Sequence, residues 1–490
     1  MRKLEMLTAP PSLPLPGAGR PSPTAPPLAW PLPAPFPAHG EGGAAPAPRL
    51  PPALTVTPSE LMYRGEGADH VVLGLRKLGR VVRLRKTSIG SGVGREELVR
   101  RAAQDQEVLA RVGRPVLGRL LTDAAHLVLV CPRPDSALCD TLLPWRRGER
   151  EGKEINTHGV ACICPDAATI FIPRHDTTTP ATPTPTLRST SVGVGGQYLR
   201  EVRNVCVEIK PKQGFLDCST PGMPLCRYCV KQFLKAGKES GSRSGYCPLD
   251  LFSGNMDRMR KAVDNLILAP QNNFKVFVDG QPVDETRPFR YLRDTIIAAL
   301  TFPFTTTTAT TTTSGRLSDR SPLGRILTFQ SLDRLGVFRA SQLYLTLCDL
   351  LGSAEAVDEA LCDLSAWPSP ALGLVIEQGA QEVREVGEMG VEEMVRLLQS
   401  YLLSTTAKDL SLMILLSGPH YSPSPQQVAG SSPFVVLGEE GAWFQCQVTG
   451  VDIVAKPTSK ILKHQRDYER LRDVLADLRA RQEEPPCCRR

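Results

Sequence analysis

Tyr63 to Lys86 read YRGEGADHVVLGLRKLGRVVRLRK. Two apolar, β-branched runs, VVLGL and VVRLRK, flank the short Gly-containing turn KLGR, and that arrangement predicts an antiparallel hairpin. A Gly-rich turn, Gly65-Glu66-Gly67, leads into it. Working outward, REELVRRAAQDQEVLAR (95–111) carries the 3–4 period of a helix, while LVLVC (127–131) and GVACIC (159–164) read as buried strands. CVEIK (206–210) is a further strand and 255–269 a further helix. Helical patterns resume at 340–363 and 391–403, STTAKDLSLMILLS (404–417) reads as a turn and then an apolar strand, and 463–482 reads as a charged helix with little apolar face. A hairpin-rich front, a strand-carrying middle and a helical rear predict an α+β fold of two lobes, a small N-lobe built on an antiparallel sheet and a larger α/β C-lobe.

Composition sets the boundaries. The 490 residues are 41% hydrophobic and 22% charged, ordinary for a globular protein long enough for two or more cores. Most of the excess among the 44 prolines lies before residue 53, in runs such as PPSLPLP, so 1–53 is expected to be a disordered Pro-rich leader. The N-lobe is then expected over 54–166, the C-lobe over 167–462 and a charged tail over 463–490. Thr-, Pro- and Gly-rich inserts interrupt the C-lobe at about 172–198 and 303–318. No apolar run reaches the roughly 18–20 residues that cross a bilayer. MRKLEML followed by prolines also lacks the apolar stretch of a secretory signal. An intracellular protein of nucleus or cytoplasm is expected, with its 14 cysteines mostly reduced.

The net charge of +7 is modest, but it is concentrated. In CVEIKPKQGF (206–215), Glu208, Lys210 and Lys212 alternate, and alternate residues of a strand share a face. Pro211 ends the ladder there. Two ammonium groups on one face call for a counter-anion or for a solvated sheet edge. From Glu208 to Arg243 seven basic residues stand against three acidic ones, and Lys231 and Lys235 share a helical face. Such a surface suits a compact polyanion, either nucleic acid or a multiply phosphorylated small molecule. Beside Phe215 at the strand end, Tyr228 and Phe233 are the aromatics available there for base stacking, and so few favour the small molecule. Gly65 and Gly67 would let backbone N–H groups approach phosphate, and Arg83 on the following strand is placed to hold it, although a tight turn and a solvated basic strand explain the same residues. Asp409 and Asp452 each stand at the edge of an apolar strand, where Asp is ordinarily a turn or cap residue; two carboxylates of this kind also hold Mg²⁺ against nucleotide phosphates. Cys226-x₂-Cys229, with Cys218 before and Cys247 after, has the composition of a structural Zn²⁺ site and equally of reduced core cysteines. No Walker-type run, H-E-x-x-H or Ser/His/Asp arrangement is present.

Taken in order, YRGEG (63–67), VVRLRK (81–86), VEIKPKQGF (207–215), CRYCVKQFLK (226–235), YCPLDLFSGN (246–255), PQNNFKVF (270–277) and TAKDLSLMI (406–414) resemble the inositol-pentakisphosphate 2-kinase family. The resemblance covers about 60–300 and 320–460. It implies a two-lobed kinase-like fold, with ATP between the lobes and the inositol phosphate mostly on the C-lobe. It implies that Gly65, Glu66 and Gly67 cover the phosphates, that Arg83 binds them, and that Asp166 lies at the adenine hinge. Trp145-Arg146 resembles the family's Trp-Arg pair, with Arg146 contacting substrate. Lys210 would be catalytic; Lys212, Lys231, Lys235, Asn272, Asn273, Lys456 and Lys460 would hold substrate; Asp409 and Asp452 would bind Mg²⁺, Asp409 in a catalytic role. The implied partners are ATP and inositol pentakisphosphate; a monomer is expected, with neither membrane nor nucleic acid as a partner. The chain departs from the family where Lys231 replaces a frequent His, where Ala68-Asp69-His70 follows the GEG run, and after Lys456-Pro457, where Lys460 fits the pattern and Tyr468 stands too far along.

The substrate motif P-x-x-x-D-x-K-x-G of other inositol-phosphate kinases is absent. The alternative to an enzyme is a non-catalytic scaffold that binds inositol polyphosphate or RNA through the same lysines. It differs in having dispensable aspartates.

Overall fold

Period-2 alternation from residue 61 to 88 builds a three-stranded meander. The computed structural model describes residues 53–54, 61–67, 69–75, 79–88, 94–120, 126–130, 153–155, 160–169, 203–216, 223–236, 243–302, 317–363, 386–420, 435–437, 442–454 and 456–483. The leader before Ala53, the insert at 172–198, residues 303–316 of the second insert, Trp145, Arg146 and Cys218 lie outside them.

After β1 (Ala53–Leu54) come β2 (Leu61–Glu66), β3 (His70–Leu75) and β4 (Arg80–Ser88). Along β3 and β4 one parity, Val71, Leu73, Leu75, Val82 and Leu84, packs into a small core with Leu61 and Ile155. The other parity, Val72, Val81, Arg83 and Arg85, faces a cleft. The Gly-rich turn is shorter than the sequence suggested. Gly65 and Glu66 belong to β2, paired with Val72 and Val71 after a register shift at Arg64, and only Gly67 is outside the strand. Glu66 stays in the sheet because its carboxylate has a buried partner there, Lys86.

Helix α1 (Arg95–Val108) runs on through a wider turn, Leu109–Gly113, into the short segment Arg114–Leu117. Then come β5 (His126–Val130), β6 (Lys153–Ile155) and β7 (Val160–Pro165). The first sheet has the order β1-β5-β7-β4-β3-β2, with β6 beside β4; β1 pairs β5 in parallel and the other pairs are antiparallel.

The second sheet begins with β8 (Arg203–Ile209), followed by α2 (Arg227–Ala236), α3 (Met256–Leu268), β9 (Phe274–Val278), β10 (Gln281–Val283), α4 (Arg293–Thr301), α5 (Pro322–Gln330), α6 (Gly336–Leu351), α7 (Ala354–Cys362) and α8 (Val391–Asp409). It is completed by β11 (Ser411–His420), β12 (Val435–Leu437) and β13 (Trp443–Val451), before the last helix, α9 (Ser459–Ala480). Its order is β10-β9-β8-β11-β13-β12, antiparallel throughout. One face carries the main core: Val205, Val207 and Ile209 of β8 and Leu412, Ile414 and Leu416 of β11 pack on α3, α4 and α5. The mixed α+β class is as expected. Among the described residues no helix is long and apolar enough to cross a membrane.

Two elements differ from the sequence reading. Residues 404–409 are the last turns of α8 and not a turn before a strand. Ser404 and Thr406 are poor helix formers, but both hydroxyls find partners in the fold: Ser404 Oγ donates to the Gln330 carbonyl at 2.5 Å and Thr406 Oγ1 to that of Val454 at 3.1 Å. Tertiary packing overrides propensity. The tail helix starts at Ser459 and is not polar all round, because Ile461, Tyr468, Leu471, Leu475 and Leu478 are buried. Tyr468, Leu471 and Leu475 pack with Val230 of α2 and Val337 of α6, so the helix closes a core of its own.

Candidate active site

A cavity of 370 Å³ lies between the cleft faces of the two sheets, a size ordinary for a small-molecule site. On β8 the parity opposite the core brings Glu208 to the cavity wall, and Lys210 continues that parity past the strand end. The Lys210 N–H donates to the Asn273 carbonyl at 2.9 Å, which fixes where the ladder ends. Its ammonium sits 3.6 Å from an oxygen of Asp452. Lys212 departs from strand alternation: it has φ 63, left-handed for a residue with a side chain, and its ammonium lies 3.3 Å from Asp409. The loop that carries it is anchored at each step. Tyr246 donates its hydroxyl proton to the Pro211 carbonyl at 2.7 Å, and a Cβ at Gly214 would come within 2.5 Å of the Phe252 ring.

The two aspartates approach from different elements. Asp409 ends α8, where Lys212 and Lys456 (2.9 Å) flank it. Asp452 follows β13, also at φ 63, and meets Arg83 of the first sheet at 2.6 Å as well as Lys210 of the second. Ser411 Oγ donates to Glu208 at 2.9 Å and lies 3.3 Å from the second oxygen of Asp452; Lys275 pairs with Glu208 at 3.2 Å. Burial alone would raise both carboxyl groups. The neighbouring cations outweigh it, Lys212 and Lys456 holding Asp409 well below the usual carboxylate range and Arg83 and Lys210 holding Asp452 at about 2. Two carboxylates that stay ionised fit a hard divalent cation such as Mg²⁺. Burial lowers Lys212 below the ordinary lysine value, against the pull of Asp409. His70, desolvated and beside Arg83 and Arg85, is held neutral, at about 3.

The Gly-rich segment also meets the cavity, which Gly65, Glu66 and Gly67 line together with Arg83 and Asp166. The Glu66 carboxylate, however, is 2.5 Å from the Lys86 ammonium, both side chains only 1% exposed. Its charge is spent on the sheet and not on a ligand in this arrangement. Asp166, at the end of β7, accepts from the Ala168 N–H at 3.1 Å and from Arg64 at 2.6 Å.

The other sequence candidates scatter. Lys456 lines the cavity. Lys231 and Asn272 are exposed on α2 and before β9. Asn273 is buried, donating its side-chain N–H to the Tyr228 hydroxyl at 2.7 Å, a structural use. Lys460 is half-buried at the start of α9, its ammonium disfavoured by burial and by Lys463. Lys235 lies on α2, with its side chain outside the described atoms, and Arg146 falls outside the described residues. Cys226, Cys229 and Cys247 are buried with their sulfurs within 4.8 Å of one another, three of the four donors that a tetrahedral Zn²⁺ takes; Cys218 is not among the described residues. Sequence reasoning did not pick out Arg64, Arg85, Asp105 or Lys275 as cavity residues. For Lys275 the signal lay in cross-strand pairing, since it stands opposite Glu208. For Arg64 it lay in the glycine across from it: a Cβ at Gly74 would come within 2.9 Å of the guanidinium.

A sequence model of the inositol-pentakisphosphate 2-kinase family matches residues 63–470. The chain is similar to curated proteins named inositol-pentakisphosphate 2-kinase. The Danio rerio protein is 46% identical over 91 residues, 17% of this chain and 19% of that protein. The Arabidopsis thaliana protein is 27% identical over 289 residues, 54% of this chain and 58% of that protein. The Drosophila melanogaster protein is 36% identical over 103 residues, 14% of this chain and 17% of that protein. The chain thus spans at most 58% of the length of these relatives.

Proposed function

The chain belongs to the inositol-pentakisphosphate 2-kinase family, and from that premise we propose that it transfers the γ-phosphoryl group of ATP to the 2-hydroxyl of inositol 1,3,4,5,6-pentakisphosphate, giving inositol hexakisphosphate and ADP. The observation that carries the reading is the caged pair of carboxylates. Asp409 and Asp452, which line one cavity, are held ionised by four cations, Lys212, Lys456, Arg83 and Lys210. Cations so placed exchange carboxylate for phosphate oxygens when a polyanion enters, and the carboxylates are left free for a divalent cation.

In this reading the two sheets belong to the two lobes of a kinase-like fold, with the nucleotide between them. Arg83, beside the Gly65–Gly67 segment, holds nucleotide phosphates. Lys210, within reach of the same carboxylate as Arg83, faces the transferring group and neutralises its charge. Lys212 and Lys456, one step further out around Asp409, hold substrate phosphates, with Lys460 on the flank. Asp409 and Asp452 would hold Mg²⁺, which supplies charge neutralisation between the phosphates when bound. Phosphoryl transfer needs little covalent chemistry from the protein. Alignment of the 2-hydroxyl with the γ-phosphate and compensation of charge supply most of the rate. Cys226, Cys229 and Cys247 would hold a structural Zn²⁺ with a fourth ligand, a group that shapes the fold away from the cavity.

Purified full-length protein with ATP, Mg²⁺ and inositol pentakisphosphate tests the reading. Lys210→Met and Asp409→Ala should each remove turnover, and Asp409→Ala should still bind the inositol phosphate. Unchanged turnover in Asp409→Ala refutes the site assignment. Salt-sensitive RNA binding without turnover would instead support a scaffold.

A further inference from the structure

Two of the groups just placed, Lys212 and Asp409, stand on segments far apart in sequence, the loop 210–214 and the end of α8. One buried side chain joins them. Gln330, the last residue of α5, is 0% exposed. Its side-chain N–H groups donate to the carbonyl of Lys212 at 2.7 Å and to that of Ala407 at 3.3 Å. Its side-chain oxygen accepts from the N–H of Gly214 at 2.8 Å. Its own backbone carbonyl accepts from Ser404 Oγ of α8. The amide therefore clamps the loop at the Lys212 carbonyl and the Gly214 N–H, on either side of Gln213, and ties it to the turn of helix that presents Asp409.

We infer that Gln330 is a positioning residue: it holds Lys212 in its left-handed conformation and sets that lysine's place relative to Asp409, so that substrate phosphate and metal sites stay in register. The inference rests on the functional reading above for what Lys212 and Asp409 hold. The amide is suited to the task because it is the one type of short side chain that can donate to two carbonyls and accept from an N–H at once. A left-handed residue with a side chain costs about 1 kcal/mol or more and persists where surrounding contacts over-determine it. Lys212 meets that condition through Gln330 on its carbonyl and Asp409 on its ammonium. Arg83 and the Gly65–Gly67 segment belong to the other sheet, and among the described residues no hydrogen bond joins them to Gln330, so the nucleotide end should not feel its loss.

The test is Gln330→Leu, which removes all three side-chain hydrogen bonds at similar volume, and Gln330→Glu, which keeps the acceptor for Gly214 and sets an oxygen against the two carbonyls. Steady-state kinetics with both substrates varied, and a Mg²⁺ titration, give the readout. In either variant kcat/KM for inositol pentakisphosphate should fall about 10- to 100-fold, as for other residues that orient ligands, and half-saturating Mg²⁺ should rise. KM for ATP should stay within about twofold, as it does for sites that are not coupled. A folded variant whose constants for inositol pentakisphosphate and Mg²⁺ equal those of the wild type overturns the inference, as does an equal loss on both substrates. If the wild type shows no turnover, the functional reading fails. Calorimetry with inositol pentakisphosphate then decides the inference by itself, since weakening by about tenfold upholds it and unchanged affinity refutes it.

Discussion

Replacing Asp452 with Asn should move stability, nucleotide affinity and turnover in three different ways. The carboxylate accepts from Arg83 at 2.6 Å and lies 3.6 Å from Lys210, and these cations hold it at about 2 against an ordinary value of 3.8. A drop of that size corresponds to roughly 2.5 kcal/mol of stability at neutral pH. Because the folded value is depressed, this contribution is full above 3.8 and is lost as pH falls through about 2. The side chain is 36% exposed, so solvent screening reduces it to about 1 kcal/mol. Removing the carboxylate also leaves Arg83 and Lys210 facing the cavity without their anion. One unit charge at 4 Å is worth between about 1 and 4 kcal/mol, and the lower value suits an open cleft. Without metal, ATP should therefore bind Asp452→Asn roughly fivefold more tightly than wild type. With Mg²⁺, turnover should fall by about 10² or more, since the variant loses one of two anionic oxygen ligands. Chemical denaturation, calorimetry in EDTA and a coupled ADP assay measure the three quantities. Weaker binding in EDTA, or turnover within about threefold of wild type, would refute the charge cage and the metal role together.

Lys86→Met strands the Glu66 carboxylate in a site only 1% exposed and should cost about 3–5 kcal/mol, while adding Glu66→Gln should recover a large part of it. Additive losses in a denaturation cycle would show that the pair does not interact. Leu471→Ala, on the buried stripe of α9, should destabilise by about 2–5 kcal/mol; a cost under about 0.5 kcal/mol would return the tail helix to a solvated appendage. His70 and His464 are held neutral, burial first and nearby cations second, at about 3 and about 4. Both lie below the ordinary 6.5, so the unfolded chain takes up protons first and stability falls as pH drops from 6.5 towards 4. Each contributes a loss of about 2 kcal/mol between pH 7 and 5, and His464→Gln should remove about half of the combined slope.

The strands that carry chemistry were legible because their alternation is strict. Val205, Val207 and Ile209 against Cys206, Glu208 and Lys210 say which face is core and which is cleft. Lys212 does not continue that alternation and is not among the cavity-lining residues; it meets Asp409 through a left-handed turn that alternation does not encode. Glu66 shows a second limit. Its place in a GEG run suggests a loop, whereas its partner is Lys86, 20 residues on, and the pairing is visible only once the meander is folded. The helical end of α8 depends on hydroxyls of Ser404 and Thr406 meeting carbonyls of residues 330 and 454, a long-range fact. Tail helix α9 is a different case. Its buried positions 468, 471, 475 and 478 recur at helical spacing, but charged residues between them dilute the pattern. Gln330 had no local signal at all, since its three partners come from residues 212, 214 and 407.

The most direct test of the central claim is the position of the new phosphate. Full-length protein incubated with ATP, Mg²⁺ and inositol 1,3,4,5,6-pentakisphosphate, followed by phosphorus NMR of the product, should give inositol hexakisphosphate with the added group at the 2-position, one ADP formed per phosphate transferred. ADP release without a phosphorylated inositol, or no consumption of either substrate by folded protein, would contradict it.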